Sequence, residues 1–141
     1  MNGRFTPLQA QVYNAVLSAQ RAVLAAAKPG VAWLDMHALA ERCILAGLRD
    51  AGILTGDVDA MMAARLGGTF MPHGLGHMLG LDTHDVGGYV DGSPPRPEGP
   101  GRSRLRTARC GLLVVCIAMP MHVLQLMLRS LTHAGCWRSA W

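Results

Sequence analysis

Hydrophobic residues recur at helical spacing along the first part of the chain. They would form one apolar face of a helix: Leu8, Val12, Val16, Ala19 and Val23. Thr6 can cap this helix, Pro7 suits its first position, and Gln9 stands where a capping box requires it. We therefore predict a helix that begins after Thr6 and ends at the Lys-Pro-Gly sequence of residues 28–30.

A second helix is predicted from Asp35, a good N-cap residue, to about Asp50, with Gly52 as its C-terminal stop. His37 lies in the first turn of this helix, and we predict a solvated surface residue without a catalytic role. The positions predicted to face inward are Leu39, Cys43, Ile44 and Leu48.

The pattern then becomes shorter and more irregular. Asp57 is predicted to cap a third helix that runs through Met61 to Leu66 and ends at the two glycines of residues 67–68. Met61 and Met62 are predicted to fill the core. Residues 69–71 are predicted to form a strand, and residues 91–103, rich in Pro, Gly and Arg, an exposed loop.

Composition limits the range of functions. The chain has 141 residues, half of them hydrophobic, which is enough for one ordinary domain. Its formal net charge is +4, but the basic cluster between residues 96 and 109 contains no aromatic residue, so we predict no nucleic-acid partner. The N-terminus lacks the apolar region of a signal peptide. The four cysteines match no zinc or redox spacing, which predicts free thiols in a reducing, cytoplasmic compartment: Cys43, Cys110, Cys116 and Cys136.

The character of the chain changes at residue 110. Residues 111–128 contain no charged residue and approach the length of a membrane span, which needs about 20 apolar residues. Pro120, His122 and Gln125 interrupt the run, so we predict that it is not a functional membrane anchor. Residues 110–141 contain no Asp or Glu. They resemble the product of an altered reading frame, a retained intron or an alternative terminal exon.

Residues 71–89, here named the histidine segment, carry the strongest chemical signal. They hold three of the six histidines and two aspartates among five glycines: His73, His77, His84, Asp82 and Asp85. Histidine can act as a proton shuttle or as a neutral metal ligand. A proline precedes His73, and glycines separate it from His77, so we predict a loop or short irregular strand rather than a helix. A structural, hydrogen-bonded role is the alternative for any one of these histidines. The residues alone predict a metal or acid–base site of unspecified chemistry.

Two parts of the histidine segment resemble the prolidase (Xaa-Pro dipeptidase) family of pita-bread metallopeptidases. They are Met-Pro-His-Gly-Leu-Gly-His at residues 71–77 and Asp-Thr-His-Asp-Val-Gly-Gly at residues 82–88. The resemblance runs from about residue 2 to about residue 109 and also includes residues 26–31, 54–61 and 105–109. It implies an α/β (α+β) fold class, as a partial pita-bread fold with an incomplete sheet. Residues 1–109 would be a partial catalytic domain, and residues 110–141 a divergent tail.

The resemblance implies hydrolysis of the peptide bond before a C-terminal proline in a dipeptide substrate. In the family, two divalent metals, commonly manganese, activate a bridging hydroxide. By motif, His77 would be a metal ligand. His73 and His84 would be catalytic residues that line the substrate site. Arg106 would bind the C-terminal carboxylate of the substrate, which suits a guanidinium; without the resemblance, Arg106 reads as a surface arginine.

The family builds its metal pair from two aspartates, one histidine and two glutamates, of which this chain matches only His77. We therefore expect the chain alone to be inactive as a peptidase. A homodimer, or a dimer with a full-length relative that supplies the missing ligands, could restore activity. The alternatives are a non-catalytic isoform that acts through the family's dimer surface, and a small protein with a membrane-associating tail.

Overall fold

A computed structural model describes residues 4–85, 88–108 and 115–116 of the chain. Most of its regular secondary structure is helical. In chain order the elements are α1 (Pro7–Ala26), α2 (Trp33–Asp50), α3 (Val58–Ala63), α4 (Gly67–Phe70), β1 (His77–Met78), a 3₁₀ turn (Arg102–Arg104) and β2 (Val115–Cys116). The two strands pair antiparallel, with His77 opposite Cys116 and Met78 opposite Val115.

Helix α1 begins with the predicted capping box. The Thr6 hydroxyl accepts a hydrogen bond from the Gln9 backbone N–H, and the Thr6 N–H donates to Gln9 Oε1 at 2.9 Å. Each side chain thus satisfies a backbone group that the helix start leaves unpaired. The helix ends at Ala26, just before the predicted Lys-Pro-Gly stop. Its buried face consists of Val12, Ala15, Ala19 and Val23.

Helices α1 and α2 pack directly against each other and form most of the core. Gly47 of α2 lies so close to α1 that a Cβ there would be 2.6 Å from the Cβ of Ala15. The core between the helices also receives three side chains from later segments, namely Met71, Leu75 and Leu105. The helix pair therefore serves as the platform on which the later, irregular part of the chain is laid.

The start of α2 differs from the prediction. The helix begins at Trp33 with Ala32 as its N-cap, so Asp35 lies inside the first turn rather than at the cap. Ala32 has no side chain that can cap, but the Trp33 N–H donates to the carbonyl of Ala108 at 2.9 Å. A distant backbone carbonyl therefore does what a capping side chain usually does, and no local pattern could reveal it.

The prediction of a solvated His37 is wrong. Its side chain is 0% exposed and lies among the buried residues of α2, one position after Met36 and three before Ala40. Of the four positions predicted to face inward, Ile44 and Leu48 are buried, while Leu39 and Cys43 are partly buried against the core. Cys43 carries a free thiol, and burial raises its pKa. The prediction for the other three cysteines falls outside the residues whose side chains the structure describes.

Asp57 caps α3 as predicted, because its side chain accepts a hydrogen bond from the Ala60 N–H at 2.9 Å. Met61 is buried beside Leu45 and Val58, and Met62 packs against this group. The two glycines after α3 do not end helical structure but begin α4, and both are buried. A Cβ at Gly67 would lie 2.8 Å from Cγ of Glu41, so glycine is required there for close packing.

The strand predicted at residues 69–71 is also wrong, since Thr69 and Phe70 belong to α4. Residues 91–103 form the predicted loop, apart from the 3₁₀ turn that begins at Arg102. Within the described residues, no helix is both long enough and apolar enough to cross a membrane. The apolar run of residues 111–128 lies outside the described residues except for the backbone of β2.

The close crossing of α1 and α2 predicts a compensating pair of substitutions. Gly47→Ala alone should reduce the free energy of unfolding by about 1–3 kcal/mol, because its methyl group overpacks against Ala15. Adding Ala15→Gly removes the opposing methyl group and should restore much of the loss. Urea unfolding of the single and double variants checks this. A stabilising Gly47→Ala, as expected from helix propensity alone, would contradict the packing described here.

Candidate active site

The histidine segment is fixed to α2 through the backbone of Leu75. The indole Nε1–H of Trp33 donates to the Leu75 carbonyl, and the Leu75 N–H donates to Nδ1 of His37 at 3.3 Å. All three side chains are fully buried. Both backbone polar groups of one loop residue therefore find partners on a single helix face, which satisfies them in a place that water does not reach.

The same face of α2 continues into a buried ionic contact. Nε2 of His37 lies 3.4 Å from Oε1 of Glu41, and Nη2 of Arg102 donates to Oε2 of Glu41 at 2.9 Å. Glu41 is only 2% exposed, and Arg102 is 22% exposed. Because Nδ1 of His37 accepts a hydrogen bond, its proton must lie on Nε2, which faces the carboxylate. The three side chains thus form a chain that runs from Leu75 to Arg102.

Opposing effects act on the pKa of Glu41. Burial alone would raise it, since the charged form loses water. The hydrogen bonds from His37 and Arg102, together with the nearby positive charge, outweigh burial, so the pKa lies below its ordinary value. The carboxylate is therefore charged at neutral pH and balances Arg102.

His77 lies in β1 with its ring held in one tautomer. Nδ1 of the ring lies 2.9 Å from the carbonyl of Met78. A carbonyl can only accept, so this nitrogen carries the proton and the neutral ring presents Nε2 as a lone pair. The Met78 carbonyl also accepts from the Asp85 N–H at 3.1 Å, which folds the end of the histidine segment back onto β1. A fixed tautomer of this kind is what a metal-binding histidine usually shows.

The folded-back chain brings His84 onto His77. Their ring centroids lie 4.5 Å apart, and the rings meet edge to face at 81°. The His84 side chain is exposed. Partial loss of water lowers the pKa of His84, and so do the charge of Arg106 and, whenever it is protonated, the nearby His77. His84 is therefore neutral at physiological pH, with one ring nitrogen as a hydrogen-bond donor and the other as an acceptor.

Residues 102–108, here named the arginine segment, run close beside the histidine segment. A Cβ at Gly74 would lie 2.5 Å from the Arg104 carbonyl, and one at Gly88 would collide with the Arg106 carbonyl. The Ala108 N–H donates to the Gly88 carbonyl at 3.0 Å. These two glycines allow the backbones to touch, which brings Arg106 within electrostatic reach of His84.

The predicted site residues are thus partly assembled. His84 meets His77 ring to ring and lies within electrostatic reach of Arg106. His73 is partly buried, and its Nδ1 lies 3.0 Å from the Gly74 carbonyl, so this nitrogen also carries a proton. Leu75, which lies between His73 and His77, is the anchored residue of the segment.

The donors do not complete a metal site on their own. Within residues 4–85, 88–108 and 115–116, no three His, Cys, Asp or Glu side chains lie close enough together to hold a metal ion. His77 fits the role of one ligand, but a metal pair that activates a hydroxide needs several further donors. The described residues therefore do not form a complete metal centre by themselves.

Four side chains that support the site were not predicted as such from sequence: Trp33, His37, Glu41 and Arg96. The first three recur every four residues and so lie on one face of α2, which the sequence does display. Arg96 donates to the Leu105 carbonyl, and its guanidinium lies 4.4 Å from the centroid of the Tyr89 ring. Arg96 thereby joins the loop of residues 91–103 to Tyr89 of the histidine segment and to Leu105 of the arginine segment.

Comparison with known proteins identifies the family. Residues 1–106 match Metallopeptidase family M24. The chain belongs to this family. It is 59% identical over 108 residues to human Xaa-Pro dipeptidase, a match that covers 77% of this chain and 22% of that protein. A probable Xaa-Pro aminopeptidase of Botryotinia fuckeliana is 47% identical over 89 residues, which covers 63% of this chain and 19% of that protein. The chain therefore spans about a fifth of the length of these curated M24 relatives.

Solved structures agree. Aminopeptidase PepP of Pseudomonas aeruginosa matches with a TM-score of 0.62 and 31% identity, covering 93% of this chain and 37% of that one. Zinc-substituted Escherichia coli aminopeptidase P in complex with product matches with a TM-score of 0.59 and 29% identity, covering 92% and 36%. The predicted resemblance is confirmed. These M24 neighbours support the predicted fold class, although the described part is mostly helical with little sheet.

The electrostatic link between Arg106 and His84 is testable by titration. Arg106→Gln removes a positive charge that disfavours the imidazolium, so the pKa of His84 should rise toward its ordinary value. Nuclear magnetic resonance of the ring carbon-bound protons across pH 4–9 measures this. The control is Arg104→Gln, which removes an equal charge from the same segment. An equal rise in the control, or none in Arg106→Gln, would contradict the arrangement.

Proposed function

We propose that residues 1–109 form the histidine and arginine side of a Xaa-Pro dipeptidase site, which hydrolyses the bond before a C-terminal proline. The observation that carries the proposal is the assembly of His77, His84 and Arg106 within a stretch 59% identical to human Xaa-Pro dipeptidase. The substrate would be a dipeptide, and the fold would be part of a pita-bread domain whose sheet is incomplete here.

Each residue would have a distinct task. His77 would hold a divalent metal, for which we propose manganese, through the Nε2 lone pair that its bond to Met78 leaves exposed. The metal would supply an activated hydroxide when bound. His84, kept neutral by its surroundings, would donate a hydrogen bond to the substrate carbonyl oxygen as negative charge develops there. His73 would line the same cleft.

Arg106 would bind the terminal carboxylate of the dipeptide. Its side chain is exposed, so it can receive a ligand, while the backbone behind it is fixed by the contact with Gly88. A guanidinium matches a carboxylate with two parallel hydrogen bonds. Recognition of a free carboxylate at this point would favour dipeptides, because a longer substrate places its terminus elsewhere.

The proposal extends to the whole chain. Residues 110–141 would be a tail outside the peptidase fold, and the working protein would be a cytoplasmic dimer, formed with itself or with a longer relative. The non-catalytic alternative would keep the dimer surface without turnover. The two experiments below separate these possibilities.

A segment exchange tests the site residues. In human Xaa-Pro dipeptidase, the matching 108 residues are replaced by those of this chain, and Gly-Pro hydrolysis is followed with manganese present. The exchanged enzyme should be active, and His77→Ala should abolish turnover. Arg106→Gln should raise KM by roughly 10–100-fold, the effect of losing a charged hydrogen-bond pair.

The matched control is Arg104→Gln. Arg104 is exposed and lies two residues before Arg106, so this substitution should leave KM unchanged. An inactive exchange protein that is folded would count against the proposed function. An active one in which His77→Ala retains full turnover would remove His77 from the metal site.

A second experiment uses the 141-residue chain by itself. We expect no manganese-dependent hydrolysis of Gly-Pro, because His77 alone cannot hold two cations close together and no cluster of three donor side chains lies within the described residues. The assay uses excess manganese beside a His77→Ala control. Turnover that the control lacks would mean that the chain, alone or as a dimer, completes a metal site.

A further inference from the structure

One face of α2 contacts both segments that carry the candidate site residues. His37 binds the peptide of Leu75, which lies two residues before His77. Glu41 binds Arg102, which lies four residues before Arg106. His37 and Glu41 are themselves in contact, one helical turn apart. A short buried path therefore connects the proposed metal ligand to the proposed carboxylate-binding residue.

We propose that His37 and Glu41 are positioning residues that set the separation between His77 and Arg106. The proposal rests on the proposed function for its consequence, since a dipeptide held at its carboxylate by Arg106 must present its scissile bond at His77. The placement of the two segments itself does not depend on activity.

The directions of the hydrogen bonds support a positioning role. Nδ1 of His37 is occupied by the Leu75 N–H, so Nε2 carries the only proton and can serve only Glu41. The second carboxylate oxygen of Glu41 serves Arg102. Nδ1 of His37 and Oε2 of Glu41 thus each have one hydrogen-bond partner, whereas Nε2 of His37 faces Oε1 of Glu41 without the geometry of a hydrogen bond. A shift of either segment would break one of these two hydrogen bonds and leave a polar atom unpaired in a buried place.

The strength of the contacts is unequal. The Arg102–Glu41 bond is 2.9 Å, whereas the two contacts of His37 are 3.3 and 3.4 Å and therefore weaker. The indole of Trp33 holds the other side of the Leu75 peptide, so the loss of His37 alone loosens the segment without releasing it. A helix with apolar residues at both positions would pack equally well but would impose no register on the segments.

The first test is amide hydrogen exchange in the complete 141-residue chain. His37→Gln keeps a donor toward Glu41 but loses the acceptor for Leu75, whereas His37→Asn keeps an acceptor near the Nδ1 position. We expect the Leu75 amide to exchange about tenfold faster in the glutamine variant, as for the loss of one hydrogen bond. The asparagine variant should remain close to the parent chain.

The core amide of Val23, on α1, is the internal reference for global stability. Equal acceleration at Val23 and Leu75 would mean that His37 only stabilises the fold, and the proposal would fail. It would also fail if Leu75 exchanges no faster in His37→Gln, or if His37→Asn does not rescue it. Asp59→Asn, which disrupts an exposed ion pair with Arg42, is the control for loss of a surface contact and should leave the Leu75 amide unchanged.

The second test separates the two ends of the path. Arg102→Gln should accelerate exchange of the Ala108 amide, which pairs with Gly88, whereas Arg104→Gln on the same 3₁₀ turn should not. In the human enzyme that carries this chain's segment, Arg102→Gln should raise KM for Gly-Pro more than it lowers kcat. His37→Gln should lower kcat more than it raises KM.

The outcomes are distinguishable from a failure of the proposed function. If the human enzyme that carries this chain's segment is inactive, the peptidase proposal fails. The amide hydrogen-exchange rates of Leu75 and Ala108 in the 141-residue chain still measure positioning. Active enzyme in which both variants change KM and kcat in the same proportion would overturn the proposal, as would Arg102→Gln and Arg104→Gln variants that behave alike.

Discussion

The arrangement of the site depends on the backbone of one residue, Leu75, and on the helix face that binds it. A loop rich in glycine has little structure of its own, because glycine loses more conformational freedom on ordering than any other residue. Trp33 and His37 offset this cost by pairing the backbone C=O and N–H of Leu75 while its side chain enters the core. His73 and His77 lie two residues on either side of Leu75, so α2 sets the position from which the chain leads to each histidine.

The charge of Glu41 links this arrangement to pH. Because the pKa of Glu41 is lower in the folded chain than in the unfolded one, its contribution to stability is present above the ordinary value of 4.5 and is lost as pH falls through the lowered value. Near neutrality the network is therefore fully formed. The neutral His84 and the charged Arg102–Glu41 pair can coexist there, which is the range in which imidazole chemistry operates.

Local pattern predicted the parts of the fold that depend on nearby residues. The capping box at Thr6 and the cap at Asp57 were correct, since each involves a partner three positions away. The predicted start of α2 and the predicted exposure of His37 were wrong, because Ala108 and Leu75 supply the partners from far along the chain. Histidine and glutamate are usually exposed, and only the tertiary contacts reverse that preference.

The site residues were found by motif, but their geometry was not. The spacing of His77 and His84 does not indicate that a turn brings the two rings into edge-to-face contact, nor that Arg106 helps to lower the pKa of His84. That geometry arises where two backbones touch at Gly74 and Gly88, and the contact is possible only because neither residue has a Cβ. The glycines of the motif therefore serve packing between segments. They allow a cation and two imidazoles to meet in one place, which gives the histidine segment its chemical character.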